Sequence, residues 1–324
     1  MSAANHWSSW ISVCRYLLLA LAALAFVPLV PAQDTWESDF VTPSGADPGP
    51  AGYGPWNSRL LVAWSRDGLV WMRTGWLVSD QADVPDLVQD PSGRIFLYYT
   101  GWTVGDERNR TCVASSTDGG RTWAYKRVVL DGFDGMSSPV DPDIQRLADG
   151  TFRLYVTSDP HDGNGPRTYL AEGRDGIHFG KRGVAFHVPG EQVLDPSTVK
   201  IGDVWHIFAG GSTPSPDSNW HGTSRDGKQF VFDREAVLQA CGMRQAAANA
   251  ISIPGGYRLY TFSHETSPQI CSFVTKDGAS WVPDAGVRLV LDSATGQEAV
   301  GVKDPAVVRR SDGIYLMVYS TVIP

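Results

Sequence analysis

One short pattern returns five times along the chain: "SRDGLVW" from Ser65, "STDGGRTW" from Ser116, "GRDGIHF" from Gly173, "SRDGKQF" from Ser224 and "TKDGASW" from Thr275. Its aspartates, Asp67, Asp118, Asp175, Asp226 and Asp277, are spaced 51, 57, 51 and 51 residues apart. A unit of this size cannot bury a core alone, so five copies predict a ring or stack of repeats. Within each unit short runs alternate apolar and polar residues, the signature of strands, and Asp-Gly marks a hairpin. The first complete unit, blade A, reads as "VPDLVQD" (84–90), "RIFLYYT" (94–100), "RTCVASS" (110–116) and "TWAYKRVVL" (122–130).

The same order returns in blade B with "DPDIQRLADGTFRLYVT", in C with "DPSTVKIGDVWHIFAG" and in D with "NAISIPGGYRLYTFS". The last copy, "DPAVVRRSDGIYLMVYS", ends after two strands, and its missing half is at the other end of the chain, Arg59 to Val78. Joining the two leaves no orphan sheet edge. The expected fold is therefore all-β: a five-bladed β-propeller over 58–324 whose last blade, E, is closed by N-terminal strands pairing with C-terminal strands. The Ser/Thr and Asp of each turn are expected to bond within it, with the Trp or Phe packed beneath, on the rim away from any catalytic centre.

Residues 1–32 read as a secretory signal: Arg15 is the sole charge before residue 34, and the apolar run from Tyr16 to Val30 is too short to span a membrane. Residues 33–57 read as a Pro/Gly-rich lead-in. Removing Arg15 takes the formal charge from −8 to −9, which argues against a nucleic-acid partner. No second apolar span follows, so a secreted or periplasmic monomer with no membrane association is expected. In such an oxidising compartment Cys241 and Cys271, which fall in one repeat, are expected to pair and Cys112 to be left over.

In a propeller the first strand of each blade is innermost, so polar groups repeated at its start converge on the channel mouth. Asp141, Asp195 and Asp304 share one register, each followed by Pro. Asp86 and Asp143 share a second, two residues further on and on the same strand face. Five carboxylates are thereby aimed at one small volume.

These inner-strand motifs resemble those of the five-bladed propeller glycoside hydrolases: arabinanases, β-xylosidases and arabinofuranosidases, with invertases and levansucrases as cousins. The resemblance implies a secreted enzyme hydrolysing poly- or oligosaccharides with inversion, using an Asp base, a tuning Asp and a Glu acid. It places Asp86 as base and Asp195 as tuner, but blade D, which should hold the acid, reads "MRQAAANAIS", with Arg244, Gln245 and Asn249 and no carboxyl. A rotated frame takes Asp304 as base, Asp141 as tuner and Glu191 or Asp195 as acid. Glu298 is a further donor. Both frames remain open.

Asp143, Arg244 and Asn249 are candidate substrate contacts, and Trp102 and Trp220 candidate platforms for sugar C–H faces. His206 and His264 read as packing residues, although the family can carry a channel histidine beside a cation. No cofactor is required, no Cys/His spacing suggests a zinc site, and a structural calcium in the central channel fits the resemblance. The rival readings are a non-catalytic carbohydrate-binding propeller, a sialidase-like enzyme suggested by the Asp-Gly boxes, and a phosphorylase.

Overall fold

The strand-forming runs of each repeat pair antiparallel, and alternation of their side chains gives every sheet two faces that must both be covered by neighbouring blades. The computed structural model describes residues 36–211, 215–264 and 269–324. From the axis outward, blade A is Ala82–Gln89, Ile95–Val104, Glu107–Ser116 and Ala124–Arg127. Blade B is Val140–Arg146, Phe152–Ser158, Arg167–Gly173 and His178–Phe186; blade C is Leu194–Ile201, Val204–Gly211, Ser218–Ser224 and Val231–Glu235. Blade D is Ala246–Ile253, Gly256–Phe262, Gln269–Thr275 and Val282–Pro283. Blade E runs Val302–Arg309, Tyr315–Val322, Ser58–Ser65 and Met72–Asp80. The protein is a five-bladed β-propeller, sealed by an unbroken register from Ser58 opposite Val322 to Ser65 opposite Tyr315.

Each Asp-Gly turn closes on itself, and three of them also lock two blades together through a tyrosine. In blade E, Ser65 Oγ accepts from Gly68 N at 2.9 Å, and Asp67 Oδ1 from Leu69 N and Val70 N at 2.8 and 2.9 Å. The turn's carbonyl then receives a tyrosine from the preceding blade: Tyr98 Oη donates to Gly176 O at 2.8 Å, Tyr260 Oη to Gly68 O at 3.0 Å, and Tyr155 Oη to Gly227 O. These three tyrosines are one position, opposite Asp86, Asn249 and Asp143 of their inner strands. Gly176 is required twice over, by a φ of 77° and because a Cβ would lie 3.0 Å from Tyr98 Oη. The turns lie at the end of the blades away from Asp304, since Ser65 pairs with Tyr315 whereas Lys303 pairs with Ser320.

Three features add to or depart from the sequence reading. Val129–Asp131 leaves blade A and runs parallel to the outer strand of blade B. Gln239–Ala240 and Met243–Arg244 form a separate hairpin, and blade D's inner strand starts at Ala246, so Arg244 and Gln245 are not on it. The lead-in packs on the propeller: Phe40 is buried in a core cluster with blade A residues, and Gly45 N donates to Asp80 Oδ2 at 2.7 Å. Glu37–Pro324 forms one compact unit, joined internally by a Cys241–Cys271 disulfide, with Cys112 buried and free. The signal assigned to residues 1–32 lies outside the described residues. Among the described residues no helix is long and apolar enough to cross a membrane.

Candidate active site

The inner strands do not run regularly into the channel mouth. Each carries a register shift near its start, between Asp83 and Asp86, Val140 and Asp143, Leu194 and Ser197, Ala247 and Asn249, and Lys303 and Ala306. In four blades the residue before the proline is left-handed: Val84 (φ 45°), Asp141 (52°), Asp195 (45°) and Asp304 (46°). Asp tolerates this conformation; a β-branched Val does not, and such strain costs about 1–3 kcal/mol at each position. The extra residue breaks the two-residue alternation. Asp141, Asp195 and Asp304 sit at this break, while Asp86 and Asp143 lie two residues further in and bond to the next inner strand, Asp86 also facing the axis.

At the mouth the carboxylates occupy two different environments. Asp304 is 6% exposed, and its Oδ2 accepts from Lys303 Nζ at 2.7 Å. The same ammonium reaches Asp83 Oδ1 and Oδ2 at 2.8 and 2.7 Å, and Ser320 Oγ donates to Asp83 at 2.5 Å. Burial works against Asp83's charge, yet Lys303 holds its carboxyl below the ordinary range. Among the described residues no cation is at bonding distance of Asp141 or Asp195. Asp141 accepts from Thr100 Oγ1 at 3.2 Å and lies within hydrogen-bond reach of Asp195. Burial pushes Asp141 up to about 6, and burial with the charges of Asp141 and Asp304 drives Asp195 well above the carboxylate range. The pair is arranged to retain a proton, whereas Lys303 holds Asp83 charged; Asp304 is raised by burial and by the charge of Asp83, with Lys303 acting against that rise. Asp83 and Lys303 went unnoticed in the sequence, although both sit one residue before the Asp141/Asp195/Asp304 register.

Below this cluster a belt of side chains ties the five inner strands together. Asn249 Oδ1 accepts from Val307 N at 2.9 Å and its Nδ2 donates to Asp86 Oδ1 at 2.6 Å. Asp86 Oδ2 accepts from Ile144 N at 2.7 Å, and Asp143 accepts from Thr198 N at 3.0 Å and Thr198 Oγ1 at 2.5 Å. Asp86 and Asp143 are themselves in hydrogen-bond contact; burial raises both, Asp143 to about 7. Asp86, Asp143 and Asn249 are thus inter-blade clips, although Asp86 also lines a cavity of about 10 Å³ on the axis with Asp195 and Asp304.

The remaining sequence candidates are held elsewhere. Arg244 pairs with Glu235 and donates to Asp217 O at 3.2 Å. Trp220 is 7% exposed, packed with Trp205 and Val193 and donating to Gln192 O at 3.0 Å, so it belongs to the core and offers no free face. Trp102 is partly exposed, pinned by Asp47 Oδ2 at 2.8 Å and set edge-on to Trp56. Glu298 is 1% exposed and bonded by Arg73 at 2.6 Å and Tyr319 Oη at 2.7 Å. Glu191 lines a separate groove of about 220 Å³ with Arg167 and His187. His206 stacks on His221 inside blade C. His264 Nδ1 bonds Asp217 Oδ1 at 2.7 Å beside Phe262.

A channel cation does not fit these donors. Among the described residues no group of three or more His, Cys, Asp or Glu side chains is arranged to hold a metal. Lys303 satisfies Asp83 and Asp304, and backbone amides with Asn249 satisfy Asp86.

No family model and no curated protein matches the chain. Solved structures do. An endo-1,4-β-xylanase from Bacteroides thetaiotaomicron superposes with a TM-score of 0.58 at 16% identity, over 74% of this chain and 84% of that one. An α-L-arabinofuranosidase from Clostridium thermocellum gives 0.54 at 16%, over 74% and 81%. An N-acetylgalactosamine deacetylase from F. plautii gives 0.56 at 15%, over 78% and 81%. At such identities the likeness establishes the fold the proteins share.

Proposed function

We propose that the chain is a secreted or periplasmic glycoside hydrolase acting on plant- or microbe-derived poly- or oligosaccharides with inversion. The observation that carries this reading is the division of one carboxylate cluster into a proton-retaining pair, Asp141 and Asp195, and an ammonium-bound carboxylate, Asp304. Glycoside hydrolysis needs a protonated and an ionised carboxyl at once; burial raises Asp304 as well, and the Lys303 ammonium is the group that favours its ionised form. Asp195 protonates the glycosidic oxygen as the C–O bond breaks, and Asp304 takes a proton from the water that attacks the anomeric carbon from the opposite face. Asp141 supports the acid through their shared hydrogen bond. Trp102 is the remaining candidate platform for a sugar ring.

The named activities of the xylanase and arabinofuranosidase that share the fold support this class, and the Cys241–Cys271 disulfide supports an oxidising compartment. Turnover on aryl glycosides and on pentose and fructose polymers tests the reading, with the anomer first formed read by NMR. Binding without hydrolysis, unchanged in Asp195→Asn, would favour a non-catalytic carbohydrate-binding propeller instead, a reading motivated by blade D's inner strand, which carries Asn249 and no carboxyl. Phosphate dependence would indicate a phosphorylase. The sialidase-like alternative loses its basis in a ring of five blades with Arg244 tied to Glu235.

A further inference from the structure

One carboxyl on the axis borders two cavities. Asp86 lines the space of about 10 Å³ that it shares with Asp195 and Asp304, a space the size of one water molecule. Asp86 also lines a channel of about 460 Å³ formed by the later halves of the inner strands. Val88, Val199, Ile251 and Val308 wall that channel, and the exposed Lys200 and Arg309 stand at its solvent end. Among the described residues no other is common to the two linings. The side chain is 4% exposed and fixed in place: Oδ1 accepts from Asn249 Nδ2 at 2.6 Å and Oδ2 from Ile144 N at 2.7 Å. Each oxygen keeps a second lone pair for a further hydrogen bond.

We propose that Asp86 is a proton relay that resets the acid and base from the axial side while sugar occupies the mouth. The proposal rests on the hydrolase reading, in which each turnover leaves Asp195 without its proton and Asp304 with one it did not have. A proton must pass from one to the other before the next bond is broken, and products in the mouth stand between them and bulk water. The axial cavity is a second route. Asp86 gives its proton to the Asp195 carboxylate, one O–H breaking as the other forms, and takes the proton of Asp304 in return. One proton has then moved from base to acid, none is gained or lost, and Asp86 is back in its starting state. Burial and the charge of Asp143 raise the Asp86 carboxyl well above the ordinary range, so it holds a proton where an exposed carboxylate has lost its own. Through the far channel the same carboxyl exchanges with solvent, independently of the mouth.

The test separates proton return from bond cleavage. Asp86→Asn removes the relay but sets an amide N–H against either Asn249 Nδ2 or Ile144 N, so the deciding variant is the exchange, Asp86→Asn with Asn249→Asp. In it the amide at position 86 accepts from Ile144 N and donates to the carboxylate at position 249, which accepts from Val307 N, so all three hydrogen bonds are kept. The carboxyl meanwhile leaves the axial cavity, which Asn249 does not line. In the exchanged variant kcat should fall about 10-fold or more while kcat/KM stays within about 2-fold, because proton return follows bond cleavage. Formate or imidazole, small enough to carry protons to the site, should restore kcat saturably. If the exchange does not fold, Asp86→Asn alone must show the same split and rescue. A purely structural role would lower kcat and kcat/KM together and leave the carriers without effect; that pattern, or an unchanged kcat, overturns the relay and leaves the hydrolase reading standing. A wild type that turns over no glycoside overturns both.

Discussion

Asp86 in blade A and Asn249 in blade D meet across the channel axis, with Asn249 Nδ2 donating to Asp86 Oδ1 at 2.6 Å while Asn249 Oδ1 accepts from Val307 N of blade E. Two blades that are not neighbours in the ring are thereby joined. Asn249→Ala should strand a buried amide and a buried carboxyl oxygen, at about 1–3 kcal/mol each, and lower the urea midpoint accordingly. A midpoint unchanged from wild type would show that the belt carries no stability.

The pair Asp86 and Asp143 also sets a pH dependence. Their folded-state values are raised, Asp143 to about 7, so above the ordinary Asp value of about 4 the folded protein holds more protons than the unfolded chain. Stability from this pair is full below about pH 4 and is lost as pH rises towards 7. Unfolding free energies measured from pH 4.5 to 8 should fall with pH, and Asp143→Asn should flatten that slope.

Lys303 holds both Asp83 and Asp304. Lys303→Met leaves two buried carboxylates without their cation and should cost about 3–5 kcal/mol along with activity. Adding Asp83→Leu should restore part of the stability. A double variant no more stable than the single one would mean that the carboxylate is not what the lysine neutralises.

The acid and base should separate by leaving group. Asp195→Asn should lower kcat about 10²–10⁴-fold on native-like glycosides and much less on a dinitrophenyl glycoside, which leaves without protonation. Asp304→Asn should impair both substrates alike. The opposite pattern would exchange their roles.

Reduction of Cys241–Cys271 opens a loop of 30 residues and should cost about 3.5 kcal/mol on the chain-entropy relation. Cys112, buried with its thiol pushed up to about 12, should resist alkylation until the protein unfolds.

The blade count, the joining of both termini, the self-bonded Asp-Gly turns and the cysteine pairing were all legible in the residues, because each depends on short-range pattern or on a repeat period. So was the shared register of Asp141, Asp195 and Asp304. The roles within that register were not. Asp86 does line the axial cavity with Asp195 and Asp304, but its bonds to Asn249 and Ile144, set by the bulge before each inner strand, were not visible in the residues. Arg244 was placed on an inner strand that begins two residues later, and Trp220 and Glu298 could not be told from exposed residues without their packing partners.

What the sequence determined by itself was the ring, since hairpin turns and alternating side chains are encoded within about ten residues of one another. Tertiary structure decided which acids are charged. Whether a carboxyl keeps its proton depends on burial and on the cations within a few ångströms, and Lys303 and Asp83 meet there from segments 220 residues apart in the chain. Coulombic interaction and desolvation act through space, so the chemistry of this site exists only once the ring has closed.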